Sequence, residues 1–266
     1  MWITHRPSSS TCFLAAAFFK HLTLKKKLLN SNELKFSYVL ELKLSIAMAL
    51  IITLAHQKGG VGKSTLATNL RGYFAGGGYK AALVDIDPQG SLSKLVRTFA
   101  DQEGRDPEHV IERGAFRDYE ELLKLIEPYD IAVIDTPPYL SKELEDVFAI
   151  TNVVLVPCKA SPLDFLAIGD TLDLIRTTQI KRPSLVAAVV LTMTITGTDF
   201  TRSIRSELEK TEFPVLKTEI GNRVAYMRSL LRANTVLGDE NRKAWDEVEN
   251  LGKELISLLQ TSYGNP

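Results

Sequence analysis

One octapeptide, Lys58-Gly59-Gly60-Val61-Gly62-Lys63-Ser64-Thr65, limits what this chain can fold into more than any other feature. It follows the apolar run Leu50 to Ala55, which only Thr53 interrupts, and it precedes Leu66, Leu70, Tyr73 and Phe74 at helical spacing before the stop signal Gly76-Gly77-Gly78. Glycines let a backbone fold its N–H groups around an anion, and a helix N-terminus adds the positive end of its dipole. Lys63 can then reach terminal phosphates, and the Ser64 hydroxyl can ligate Mg²⁺. Aligned on Gly62-Lys63-Ser64, the usual phosphate loop has its first glycine where Gln57 stands, and a second lysine, Lys58, occupies the loop's entrance.

Further apolar runs of strand length are Ala81 to Val84, Ile131 to Ile134, Val153 to Val156 and Leu185 to Leu191. Tyr119, Leu122, Leu123 and Ile126 mark one amphipathic helix between them, and Leu163, Leu166, Leu172 and Ile175 mark another. Runs that are apolar throughout suit strands buried on both faces, so the pattern predicts an α/β fold, a doubly wound and mostly parallel sheet with helices on both sides. The polar stretch Asp101 to Arg117 is expected to be a surface connection.

Composition narrows the function classes. Cys12 and Cys158 cannot make a disulfide framework or a four-thiolate metal cage within one chain, which fits a reducing compartment. With 32 basic and 32 acidic side chains the net charge is zero, so binding to nucleic acid would need a local patch. The charge is uneven: residues 1–47 hold seven basic and two acidic residues, +5, leaving −5 for the remainder. The short apolar run Cys12 to Phe19 leads into Lys20 with no small-residue cleavage pattern, a poor match to a signal peptide. Met48 stands immediately before the first strand, and the expectation is that residues 1–47 are a non-native or disordered extension outside a single working domain over 48–266.

Two more motifs join the loop. Val84-Asp85-Ile86-Asp87-Pro88-Gln89-Gly90 and Ile134-Asp135-Thr136-Pro137-Pro138 each place acidic residues at the end of an apolar strand. Together with Lys58-Gly59-Gly60-Val61-Gly62-Lys63-Ser64-Thr65 they resemble, in order, the motifs of the ParA/MinD family of deviant Walker A ATPases. Within that family, Ser161-Pro162-Leu163-Asp164-Phe165 and Val224-Ala225-Tyr226-Met227-Arg228-Ser229-Leu230-Leu231 make the chain similar to small ParF-type plasmid partition ATPases.

The resemblance implies hydrolysis of ATP with Mg²⁺. Phosphoryl transfer needs cations at the phosphates, a metal and a carboxylate that holds the attacking water. Gly59, Gly60, Val61, Gly62, Lys63, Ser64 and Thr65 would cradle the phosphates. Ser64 and Asp135 would hold the metal with Asp85 in its outer shell, and Asp87 would position the water. Lys58 would reach across a sandwich dimer to the partner's phosphates, so that nucleotide binds two copies together.

For such a switch the resemblance implies DNA partition: non-specific DNA binding by the ATP dimer in a bacterial cytoplasm, nucleoid association, and release by a centromere-binding ParB/ParG-like adaptor. Positioning of a protein cargo such as a chemoreceptor cluster is the alternative. Residues 202–232 hold seven basic and four acidic residues, which makes Arg202, Arg205, Arg223, Arg228 and Arg232 candidate phosphate contacts if their helices share one side of the sheet. The last helix, about Glu240 to Leu259, has an apolar stripe and an acidic polar side, which argues against a MinD-like membrane anchor.

Overall fold

The computed structural model describes residues 49–102, 109–139, 141–195, 198–231, 235–237 and 240–263, all within the unit Ile46–Pro266. The expectation for residues 1–47 lies outside the described residues, as does Arg232.

The described strands form one seven-stranded sheet, ordered β3-β2-β4-β1-β5-β6-β7, in which every pairing is parallel. Their ranges are β1 Leu50–Leu54, β2 Ala81–Asp85, β3 Val110–Glu112, β4 Ile131–Asp135, β5 Val153–Lys159, β6 Val186–Thr194 and β7 Val215–Gly221. β1, β2 and β4 are buried along their whole length, as unbroken apolar runs require when helices cover both faces. The helices are α1 Lys63–Gly76, α2 Ser91–Gln102, α3 Tyr119–Ile126, α4 Lys142–Ile150, α5 Pro162–Lys181, α6 Asp199–Leu208, α7 Val224–Leu231 and α8 Arg242–Tyr263. One core cluster joins residues of α3, α4, α5 and α6 to the sheet, while α7 and α8 pack with α1 on the opposite layer.

Local chemistry explains most boundaries. Asp118 caps α3 by accepting the Glu121 N–H at 2.9 Å, and Ser161 caps α5 ahead of Pro162. The 101–117 stretch is more structured than its polarity suggests, since α2 runs to Gln102 and Val110–Glu112 adds β3 beside β2. Three residues at a sheet edge carry too little periodicity to be legible. On α5 the expected stripe is only half right: Leu172 and Ile175 are buried, but Leu163 and Leu166 are 69% and 72% exposed, and Asp164, Ile168 and Thr171 face inward instead.

At the other edge, β7 bulges where Val189 pairs with Val215 but Leu191 with Glu219. The bulge frees two backbone N–H groups, of Lys217 and Thr218, and both donate to the Glu254 carboxylate of α8, at 2.6 and 2.9 Å. Acidic residues on the polar side of α8 therefore serve the sheet edge, while Val248, Leu251, Leu255 and Leu259 are buried.

Candidate active site

Strand order brings the three motifs together. From β1 the chain moves toward β2 and β3, returns to β4 beside β1, then crosses to β5 on its other flank, so the loop after β1 sits at the point where strand order reverses. Gly60 and Gly62 have φ of 73° and 96°, left-handed values that a Cβ disfavours, and Gly62 leads directly into α1. The Thr192 hydroxyl of β6 donates to the Val61 carbonyl at 2.9 Å and ties the loop to the sheet.

Lys63 is buried, and its Nζ reaches back over the loop to the carbonyls of His56 and Lys58, both at 3.1 Å. Burial lowers its pKa, while Asp135 and Asp87 oppose that effect. The Ser64 hydroxyl donates to Asp135 Oδ2 at 2.6 Å. Asp135 is 3% exposed, and its Oδ1 has no hydrogen-bond partner. Burial pushes its carboxyl up to about 7; Asp85 and Asp87 add to the rise, whereas Ser64 and Lys63 counter it. A buried, unpartnered carboxylate oxygen beside a serine hydroxyl fits a hard, oxygen-ligated divalent cation, so Ser64 and Asp135 suit Mg²⁺. When bound, Mg²⁺ supplies neutralisation of phosphate charge.

The two acidic residues after β2 are placed differently from one another. Asp85 sits opposite Asp135 in the strand register but is engaged locally: Oδ2 accepts the Ser93 N–H and hydroxyl at 2.8 and 2.9 Å, and Oδ1 accepts the Asp87 N–H at 3.1 Å. It fastens the first turn of α2. Asp87 stands on the loop, half-buried, with Oδ1 accepting the Gln89 N–H at 2.9 Å. Its charge still reaches Lys63 and Asp135.

Lys58 is tethered. Its Nζ pairs with Asp164 Oδ1 at 3.0 Å, and the Asp164 side chain is 6% exposed. The Ser161 hydroxyl, at 2.5 Å, is the other partner of that carboxylate. Burial would raise the Asp164 pKa, but the hydrogen bonds from Ser161 and Lys58 prevail and lower it. His56, Gln57, Asp164 and Thr192 all hold the loop, and motif reading singled out none of them for a role. Gln57 and His56 flank the octapeptide and offered a positional signal, and Asp164 lies in the quoted segment Ser161-Pro162-Leu163-Asp164-Phe165, which showed no link to the loop; Thr192, more than a hundred residues away, offered none.

The candidate DNA contacts are not brought together. Arg202 and Arg205 lie on α6 and Arg228 on α7, in opposite helical layers, so the condition that they share one side of the sheet is not met. Arg205 pairs with Glu219 at 2.9 Å, Arg202 pairs with Asp199, and Arg223 donates to Glu247 at 2.9 Å. Arg228 is exposed.

Comparison with known proteins agrees with this geometry. Residues 52–236 match the family model described as the CobQ/CobB/MinD/ParA nucleotide binding domain. The chain is 32% identical over 212 residues to maintenance of carboxysome distribution protein A of Halothiobacillus neapolitanus, covering 78% of this chain and 97% of that protein. It is 30% identical to the chromosome-partitioning ATPase Soj of Thermus thermophilus, covering 50% of this chain and 63% of that one. Among solved structures, cobyrinic acid a,c-diamide synthase from Mycobacterium smegmatis with a bound ATP analog and magnesium superposes with a TM-score of 0.64 at 21% identity, over 82% of this chain and 97% of that one. The cell division protein MinD of Aquifex aeolicus superposes with a TM-score of 0.60 at 19% identity, over 79% and 98%. With its phosphate loop, its Ser64–Asp135 pair and a family match over most of its length, the chain belongs to the CobQ/CobB/MinD/ParA nucleotide-binding family, in the ParA/MinD class of ATPases.

Proposed function

We propose that this ATPase positions a large intracellular cargo, using ATP to join two copies face to face and hydrolysis to part them. The observation that carries the reading is the placement of Lys58: a signature lysine at the mouth of the loop, 39% exposed, held by one ion pair that a rotation of its side chain would break. The surface around it fits a second copy. Exposed apolar side chains follow the carboxyl ends of successive strands, with Leu163 and Leu166 after β5, Ile195 after β6, and Val224 and Met227 after β7. In this reading Lys63 and the loop N–H groups bind the phosphates, Ser64 and Asp135 hold Mg²⁺, Asp87 orients the attacking water, and Lys58 completes the neutralisation from the opposite subunit.

A protein assembly is the cargo we favour over DNA itself. The relative named for carboxysome distribution is covered over 97% of its length, against 63% for Soj. Plasmid or chromosome partition with a ParB/ParG-like adaptor is the second reading, favoured by the partition relatives. Both readings use ATP-dependent, sequence-independent DNA binding, with the nucleoid as matrix.

Sedimentation with ATP tests the switch. The parent is expected to dimerise, and Lys58→Gln to keep monomeric nucleotide binding but lose dimerisation by about tenfold or more. Equal dimerisation of both would remove Lys58 from the interface. Deletion in the native host separates the cargoes: clumping of a protein compartment supports the first reading, and plasmid loss with normal compartments supports the second.

A further inference from the structure

The segment entering the phosphate loop is stitched to α5. The Gln57 N–H donates to Thr171 Oγ1 at 3.3 Å, its side-chain amide donates to the Ala167 carbonyl at 2.7 Å, and Lys58 pairs with Asp164. His56 lies at the centre of this stitching, 1% exposed. Its Nδ1 accepts the Lys58 N–H at 2.9 Å and its carbonyl accepts Lys63 Nζ. With Nδ1 as acceptor, the neutral ring carries its proton on Nε2, and that buried N–H has no well-formed hydrogen bond, its interaction being with the Asp164 backbone carbonyl. A buried donor so poorly satisfied is uncommon enough to need a reason.

The charged groups facing the ring supply one. They are Lys63 from α1, Lys58 from the loop and Asp164 from α5; Cys158 of β5 lies in the field of the same Lys58 and Asp164. Burial and Lys63 hold the ring neutral, with its pKa pushed down to about 4, and Asp164 pulls the other way. If Lys58 swings toward a partner's phosphates, as the function proposed above requires, Asp164 keeps the Ser161 hydroxyl and the field of Lys159 but loses the one cation bonded to it.

We propose that His56 is a positioning residue that takes over Asp164 when Lys58 departs, its poorly satisfied Nε2–H donating to the carboxylate the lysine has left. The loop can then release its signature lysine without stranding a buried charge. This rests on the reading of Lys58 given above. It adds a device that needs an imidazole two residues before that lysine, the position His56 holds.

His56→Asn tests it in the full chain. An amide oxygen can still accept the Lys58 N–H, but the Nε2–H is gone. Nucleotide binding by the monomer should stay within about twofold of the parent, while ATP-driven dimerisation weakens by about tenfold or more. Adding Asp164→Asn should shrink that loss to about twofold, since a neutral amide needs no counter-charge. Equal loss in both backgrounds, or none in either, overturns the proposal. A second measurement needs no dimer. In the monomer, Lys58→Ala leaves Asp164 to His56, and an NMR titration of the ring should show proton affinity raised by about tenfold or more, a gain that Asp164→Asn cancels. An unchanged titration overturns the role of His56. A parent that fails to dimerise with ATP while the ring responds overturns the reading of Lys58 alone.

Discussion

Burial of the Asp135 carboxyl costs the folded protein stability near neutral pH, a cost that the Mg²⁺ proposed to sit beside it would relieve. Its carboxyl is raised to about 7 from a reference of 3.8, so between those values the folded chain holds a proton that the unfolded chain has released. Stability from this group therefore falls as pH rises from about 4 to about 7. His56 acts in the opposite sense: its pKa drops from 6.5 to about 4, so its contribution is complete above 6.5 and is lost as pH falls. Asp135→Asn should raise the melting temperature of the nucleotide-free protein at pH 8 more than at pH 5, and should lower Mg²⁺-dependent turnover by about a hundredfold or more. Thermal melts at the two pH values and a phosphate-release assay check both parts. Lys63→Ala should abolish nucleotide binding, whereas Asp87→Ala should permit ATP binding and stop hydrolysis, because the roles proposed for them, binding phosphates and orienting the attacking water, belong to different steps. Fluorescent-nucleotide titration beside turnover separates them, and normal turnover in the Asp87 variant would remove that residue from the mechanism.

Among the elements, α8 and α5 differ in how well their faces could be read. The α8 stripe is legible because its apolar residues keep helical spacing over about four turns and its other side is polar. One contact in it is not legible: a Cβ on Gly252 would fall 2.2 Å from the Tyr73 ring, so this glycine lets α8 close onto α1. Gly252→Ala should destabilise the fold by about 1–3 kcal/mol in urea unfolding, and Tyr73→Leu in the same chain should recover part of that loss. α5 defeats periodicity because apolar residues surround its first turns. Asp164 turns inward there to meet Lys58, which leaves Leu163 and Leu166 outside. A helix that serves a loop as well as a core does not keep a single stripe.

For the whole molecule, charge distribution decides how DNA binding should be tested. Arg205→Glu and Arg223→Glu would each break an ion pair with a half-buried carboxylate and set like charges together, costing roughly 1–3 kcal/mol of stability whatever their effect on DNA. Arg228→Glu touches an exposed side chain and should leave the melting temperature within about 1 °C. Gel shift with ATP at two salt concentrations then reads DNA contact cleanly: a contact lowers affinity for every DNA sequence and flattens the salt dependence. Local chemistry alone was enough to specify the phosphate loop, the alternation of strands and helices, and the acidic residues at two strand ends. Glycine backbone freedom, apolar runs and caps act over a few residues, and neighbouring sequence displays them. Tertiary structure decided which strands became neighbours, since the buried runs are chemically interchangeable and nothing local orders them. That order puts β4 beside β1 and joins Ser64 to Asp135 across 71 residues. It also gives Lys58 a carboxylate on α5, encloses His56 with a poorly satisfied donor, and separates the arginines of α6 and α7 onto opposite layers. Each of these depends on burial and on contacts between distant segments, which exist only once the sheet has assembled.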